Sequence, residues 1–195
     1  TSVKYGIVLE GGGARGAYQI GAWKALKEAG IAIGGISGAS VGALNGALMC
    51  MDDLDRACHI WENLTYSKVM NVSDALIEKF RSKDLEIQDF QELGSAVGKA
   101  LKDGGLDVTP LKDLIEETVD EERIRASERE LFVITYSLTD WKKVVINIKE
   151  LSDGEMSDAL LASAYFPAFK REKLGGKRYM DGGSADNVPI EPLLE

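Results

Sequence analysis

The chain has 195 residues, of which 45% are hydrophobic and 28% are charged. These proportions are typical of a soluble globular protein and exclude a disordered chain, and the length predicts one domain. Asp and Glu number 32 against 23 Lys and Arg, which gives a net charge of −9. This balance argues against a nucleic-acid binder, which usually carries a basic field, and against electrostatic docking on anionic lipid.

The cysteines and the histidine argue against a disulfide framework and a zinc site. Cys50 and Cys58 are too few for such a framework, so we expect both to be reduced and the protein to be cytoplasmic. His59 is the single histidine, and the sequence has no His/Cys cluster with zinc spacing. We therefore expect neither a metal nor a cofactor.

One uncharged run, residues 29–51, is long enough to cross a bilayer. It contains six glycines together with Ser37, Ser40 and Asn45, and these residues weaken a lipid-facing helix. We therefore interpret the run as a buried strand, a tight turn and a close-packed helix. The opening segment does not fit a signal peptide, because its apolar stretch is short and Glu10 interrupts it.

The hydrophobic pattern predicts alternating strands and helices. In the first part the expected elements are a buried parallel strand at 5–9, a helix at 17–29, a strand at 31–38 and a helix at 41–51. A charged helical stretch at about 52–127 follows, then strands at 130–138 and 144–148 joined by a turn at Asp140-Trp141, a helix at about 154–164, and a hairpin at 170–180 turning on Gly175-Gly176. The order strand, helix, strand, helix predicts an α/β core with right-handed crossovers.

A glycine loop separates the first strand from the first helix. Its residues are Gly11-Gly12-Gly13-Ala14-Arg15-Gly16, which match a dinucleotide-binding fingerprint. That fingerprint also needs an acidic residue about 20 positions on, and the second strand ends without Asp or Glu. What remains is a run of backbone N–H groups at a helix N-terminus, which suits a developing negative charge.

A nucleophile-elbow pattern follows the second strand. Its residues are Gly38-Ala39-Ser40-Val41-Gly42, with a strand before them and a helix after them. Glycine at both flanking positions lets the strand and the helix pass closely. Ser40 is thereby expected at the N-terminus of the next helix, where the helix dipole favours an alkoxide and an oxyanion.

A histidine base for Ser40 is nearly excluded. No histidine follows His59, which itself lies in a helical stretch where a surface role is the simpler interpretation. A carboxylate must then accept the serine proton, and the best candidate is Asp181, which ends a predicted strand and precedes Gly182 and Gly183. Taken alone, Asp-Gly-Gly is more often a turn than a catalytic motif.

Four motifs in this order make the chain resemble the patatin-like phospholipase family. They are the glycine loop at 11–16, the elbow at 38–42, the stretch Ala162-Ser163-Ala164-Tyr165-Phe166-Pro167, and Asp181-Gly182-Gly183. Asn187 and Pro189 also fit the family pattern after the last motif, and the resemblance runs from about residue 4 to residue 192. It implies a three-layer α/β/α sandwich with a mostly parallel central sheet.

The resemblance also implies a lipid acyl hydrolase with a serine–aspartate dyad. Ser40 corresponds to the nucleophile and Asp181 to the general base. The Gly11–Gly13 backbone, with Arg15 nearby, corresponds to the oxyanion hole. The expected reaction is cleavage of lipid carboxylic esters, as in a phospholipase A or a lysophospholipase.

We expect one patatin-like domain over 1–195, with a C-terminus that is truncated relative to similar bacterial proteins. Residues 64–106 are a candidate lid, helical insertion or acyl-pocket wall. This stretch holds Met70, Val72, Leu76 and Phe80, and a one-sided apolar stripe of Phe90, Leu93, Val97 and Leu101.

Two other function classes stay open from the sequence. One is a nucleotide-binding, Rossmann-like protein, and the other is a non-catalytic lipid- or protein-binding domain. The partners expected for the hydrolase are a lipid or acyl-ester substrate, with transient contact to a membrane surface and no nucleic acid.

Overall fold

The computed structural model describes residues 3–69, 104–167, 169–170 and 173–194, with scattered positions between 73 and 102. Its strands are β1 (Tyr5–Leu9), β2 (Ile33–Ala39), β3 (Glu130–Ser137), β4 (Lys142–Asn147) and β5 (Tyr179–Asp181). Its α-helices are α1 (Gly16–Glu28), α2 (Val41–Cys50), α3 (Leu54–Glu62), α4 (Thr109–Thr118), α5 (Glu121–Ala126) and α6 (Met156–Ser163). The fold is mixed α/β, with helices around a central sheet.

The sheet is parallel in its first three strands. Its order is β1-β2-β3-β4, with β1 parallel to β2 and β2 parallel to β3. The carboxyl ends of β1 and β2 therefore meet at one edge of the sheet, where the glycine loop and Ser40 begin. β4 closes a hairpin with β3 and is antiparallel to it.

β5 continues the line of β2 along the same side of β3. The β2 ladder ends where Ala39 pairs with Ile134, and the β5 ladder begins one residue further on, where Asp181 pairs with Thr135. β4 pairs with residues 132–137 of β3 and so occupies the other side. Because a strand has two sides, β2 and β5 approach each other end to end, and this arrangement brings Ser40 close to Asp181.

The sheet is covered on both faces. On one face α2 packs so closely that a Cβ on Gly46 would lie 2.8 Å from Leu131 Cδ1. Gly35 of β2 points to the other face, away from α2, because successive residues of a strand point to alternate faces of the sheet. There Leu193, in a 3₁₀ helix at Glu191–Leu193, would lie 3.0 Å from a Cβ on Gly35.

Most element predictions are confirmed within one to three residues, including both turns. Leu174 and Lys177 exchange backbone hydrogen bonds around Gly175-Gly176, which confirms the turn of the predicted hairpin, but only as an isolated bridge, and β5 after it pairs with β3. One expectation is wrong: β1 is not buried along its length, because it is an edge strand and Tyr5 is 52% exposed.

Several expectations concern residues that the structure does not describe. They are most of the candidate lid at 64–106 and its four stripe residues, Phe90, Leu93, Val97 and Leu101. Within the described ranges, no helix is long and apolar enough to cross a membrane. Residues 33–50 of the uncharged run form β2, the elbow and α2 instead. Cys50 and Cys58 are both free thiols.

Candidate active site

Ser40 sits on a strained turn between β2 and α2. Its φ is 54° and its ψ is −127°, a backbone conformation that residues other than glycine rarely adopt. The turn is tight because Gly42 passes directly under β1, where a Cβ would lie 2.2 Å from the carbonyl oxygen of Leu9. Gly38 in turn packs against the Gly42 backbone. A side chain at Gly42 would push α2 away from β1, and a side chain at Gly38 would push β2 away from α2.

A buried serine holds the backbone of this turn. Ser163, at the end of α6, is fully buried, and its Oγ accepts a hydrogen bond of 2.9 Å from the Ser40 N–H. The same hydroxyl donates to the carbonyl oxygen of Ile134 in β3. Ser163 thus ties the Ser40 turn to β3, the strand with which Asp181 pairs.

Asp181 lies at the end of β5, partly buried beside Ser40. Its Oδ1 accepts a 2.8 Å hydrogen bond from the Gly183 N–H, and its own N–H donates to the carbonyl oxygen of Tyr165. Burial raises the pKa of the Asp181 carboxyl, while hydrogen bonding from the Ser40 hydroxyl and the Gly183 N–H opposes this shift. A poorly solvated carboxylate is a better proton acceptor than one in water, and this one lies next to the hydroxyl whose proton it would take.

The glycine loop lies directly against Ser40. A Cβ on Gly11 would be 3.1 Å from Ser40 Cβ and 2.7 Å from Asn187 Oδ1. The Gly11 N–H donates to Asn187 Oδ1 at 3.0 Å, and Asn187 Nδ2 donates to the Gly11 carbonyl at 3.5 Å. The Gly11 N–H is therefore already used, and it is not free to hold an oxyanion.

Unlike that of Gly11, the N–H groups of Gly12 and Gly13 have no acceptor within the described part of the chain. Among the described residues, none of the hydrogen bonds uses either group as a donor. The Arg15 side chain lies over Gly12, where a Cβ would be 3.0 Å from Nε and 3.1 Å from Nη2. Arg15 has no ion-pair partner in the described part of the chain, so its charge adds a positive potential to this loop.

Three other features lie outside this cluster. An open cavity of about 700 Å³ runs between β1 and α1 and borders Gly11 and Gly12, but neither Ser40 nor Asp181 lines it. His59 is an exposed residue of α3 whose side chain contacts Asn63. Among the residues that the structure describes, no three His, Cys, Asp or Glu side chains converge as a metal site would require.

Comparison with known proteins identifies the family. Residues 7–194 match the family described as Patatin-like phospholipase. The chain belongs to the patatin-like phospholipase family. The patatin-like match covers all four motifs of the resemblance, from the glycine loop to Asp181.

Curated relatives and a solved structure extend this comparison. The chain is 56% identical over 52 residues to neuropathy target esterase sws of Drosophila sechellia and, equally, of Drosophila persimilis. That segment is 27% of this chain and 4% of each esterase, so the patatin-like chain matches only a small part of those proteins. The crystal structure of VipD from Legionella pneumophila has a TM-score of 0.62 and 18% identity, covering 97% of this chain and 47% of VipD. This likeness shows the fold.

Ser163 and Asn187 received no role from sequence reasoning. Both stand in stretches that carry the patatin-like resemblance, so their positions were visible but their contacts were not. Ser163 reaches Ser40 across 123 positions and Asn187 reaches Gly11 across 176 positions. Contacts over such separations depend on the folded topology and leave no local pattern.

Proposed function

We propose that this patatin-like domain is a serine hydrolase that cleaves carboxylic ester bonds of lipids through Ser40 and Asp181. The observation that carries the proposal is the Ser40 hydroxyl, presented on a strained turn, next to a partly buried carboxyl with a raised pKa. Membership in a phospholipase family and identity to segments named as esterases support a lipid ester as the substrate.

The first half-reaction transfers the acyl group to the enzyme. Ser40 Oγ attacks the ester carbonyl carbon while its proton passes to the Asp181 carboxylate. The carbonyl oxygen becomes an oxyanion, and the free N–H groups of Gly12 and Gly13 are the proposed donors to it, with the Arg15 charge nearby. Asp181 then returns the proton to the alcohol that leaves, and an acyl-Ser40 ester remains.

The second half-reaction restores the enzyme. Asp181, again ionised, takes a proton from a water molecule that attacks the acyl carbon. The same Gly12 and Gly13 donors hold the second oxyanion, and the Ser40 oxygen leaves with the proton from Asp181. Gly11 has the different role of fixing the loop, because its N–H donates to Asn187.

Active-site labelling tests the proposal. A fluorophosphonate probe should attach to Ser40, with the modified residue identified by mass spectrometry. Ser40→Ala should abolish labelling and hydrolysis of p-nitrophenyl butyrate, whereas Ser184→Ala, a change at an exposed serine of the Asp181 loop, should leave both intact. Labelling at another serine would overturn the assignment of Ser40 as the nucleophile, and no labelling of a folded chain would favour a non-catalytic binding domain.

A further inference from the structure

The β3–β4 turn projects beyond the candidate active site. Asp181 pairs with Thr135, and β3 continues for two more residues, roughly 7 Å, before the turn at residues 138–141. The glycine turn at residues 174–177 lies beside it. The Leu138 N–H donates to the Arg178 carbonyl at 2.9 Å, and the Arg178 N–H donates to Thr139 Oγ1 at 3.0 Å. We call residues 138–143 and 173–178 together the tip.

The tip is basic in an acidic chain. Its ionisable residues are Asp140 and five cations, Lys142, Lys143, Lys173, Lys177 and Arg178. Asp140 pairs with Lys177 at 2.7 Å, and Lys143 pairs with two carboxylates outside the tip, both at 3.2 Å. The other three cations are exposed, and no ion pair between described residues includes them. The net charge of −9 therefore conceals a local concentration of positive charge.

Trp141 occupies the end of the tip in a conformation that suits glycine or asparagine. Its φ is 54° and its side chain is 77% exposed. A bulky aromatic residue that is this exposed gains little from packing within the chain. Phe166, 55% exposed, follows Tyr165, whose carbonyl accepts a hydrogen bond from the Asp181 N–H. Exposed aromatic rings thus stand both at the tip and beside the site.

We propose that the tip docks this chain on an anionic lipid bilayer, with Trp141 in the headgroup region and Lys142, Lys173 and Arg178 against lipid phosphates. An indole flanked by long cationic side chains is the combination that favours a membrane–water interface over water. The lipid substrate in this picture rests on the proposed function, but docking itself needs no catalysis. Docking through the tip brings the Ser40 end of the sheet to the surface that holds the esters.

The remaining negative charge of the chain opposes the same bilayer. Binding to the bilayer is therefore weak and depends on the tip alone. It should fall as the salt concentration rises, because salt screens the attraction between the tip cations and the lipid phosphates. Each cation near an anionic surface contributes about a fivefold gain in binding. Removal of Lys142 and Arg178 together should therefore weaken binding roughly 25-fold if their contributions multiply.

Vesicle co-sedimentation tests the proposal, using the full chain with Ser40→Ala so that the lipid is not degraded. We expect binding to vesicles of phosphatidylcholine with phosphatidylglycerol, weaker binding to phosphatidylcholine alone, and release at high salt. Trp141→Gly and the double change Lys142→Ser with Arg178→Ser should each weaken binding. Lys24→Ser, which removes an exposed cation of α1 away from the tip, should not.

Soluble activity separates this proposal from the catalytic one. With Ser40 present, the tip variants should hydrolyse p-nitrophenyl butyrate at the original rate and melt no lower, since glycine accommodates the φ of residue 141. Absence of binding to the anionic vesicles, or equal binding by the tip variants and the unaltered tip, would overturn the docking proposal. If the fluorophosphonate does not label Ser40, the catalytic proposal is overturned, whereas the docking proposal is not, because vesicle binding is measured without catalysis.

Discussion

The N–H of Gly11 donates a 3.0 Å hydrogen bond to the side chain of Asn187, which lies 176 positions later in the chain. Through this contact the loop after Asp181 holds the loop beside Ser40. A Cβ on Gly183 would lie 2.7 Å from Asn187 Oδ1 and 3.0 Å from Asp181 Oδ1, so both side chains converge at Gly183. The proposed base and the proposed oxyanion donors are therefore positioned relative to each other by one amide.

Replacing Asn187 with alanine should slow turnover more than it weakens substrate binding. The Gly11 peptide would lose its partner and the neighbouring Gly12 and Gly13 donors would shift, and such a misplacement can cost about 100-fold. Steady-state kinetics on p-nitrophenyl butyrate should show the loss in kcat with KM little changed. A variant with unaltered kcat would exclude a role for this contact in catalysis.

Asn187→Asp is a matched variant of the same site. It keeps an oxygen that can accept the Gly11 N–H but places a second carboxylate near Asp181, and like charges disfavour ionisation. The pKa of Asp181 should therefore rise further. The midpoint of the acid limb of the kcat/KM–pH profile should move to higher pH, and an unchanged midpoint would contradict the arrangement described here.

Asp181 itself should give the unaltered enzyme an acid limb above the ordinary aspartate pKa of 3.8. The base works only when ionised, so kcat/KM should fall as the pH falls through its raised pKa. Asp181→Asn should abolish activity, whereas Asp186→Asn in the same loop, which removes the charge that pairs with Lys143, should not.

The same raised pKa has a consequence for stability. A carboxyl whose pKa is higher in the folded state lowers the free energy of unfolding above that pKa, and the cost disappears as the pH falls toward the unfolded value. At neutral pH, Asp181→Asn should therefore raise Tm in a thermal melt. A lower Tm at neutral pH would show that the carboxylate contributes to folding instead.

The strain at Ser40 predicts a difference between two inactive variants. Ser40→Gly relieves the φ of 54° and Ser40→Ala does not. Strain of this kind costs about 1–3 kcal/mol, part of which the flexible unfolded glycine offsets. Urea denaturation should find Ser40→Gly more stable than Ser40→Ala. Equal stabilities would mean that the strain at Ser40 is no larger than this offset.

Ser163 and Ser37 provide a controlled pair of buried hydroxyls. Ser163 accepts from the Ser40 N–H, whereas the Ser37 Oγ has no hydrogen-bond partner among the described residues. Ser163→Ala leaves a part-buried N–H without its acceptor, which costs up to about 1–3 kcal/mol. Ser37→Ala should be neutral or stabilising. Urea denaturation of both variants tests this contrast. The kcat of Ser163→Ala should also be reduced.

Local patterns were enough to predict the sheet core and the elbow that carries Ser40, whereas the choice of Asp181 also depended on the lack of a histidine base and on the family resemblance. The elbow is readable because a strand, a Gly-x-Ser-x-Gly turn and a helix follow one another without interruption. The exposure of β1 was not predictable, because an apolar strand has the same sequence whether it lies at the edge or the centre of a sheet. The use of the Gly11 N–H by Asn187 was equally hidden, since it depends on how the distant Asp181 loop folds back.

The end-to-end meeting of β2 and β5 on one side of β3 makes β5 intolerant of changes in length. Adding or deleting one residue within it would preserve the ladder but rotate the carboxylate of Asp181 to the reverse face of the sheet. Homologous chains should therefore vary freely in surface loops while keeping this three-residue strand free of insertions and deletions.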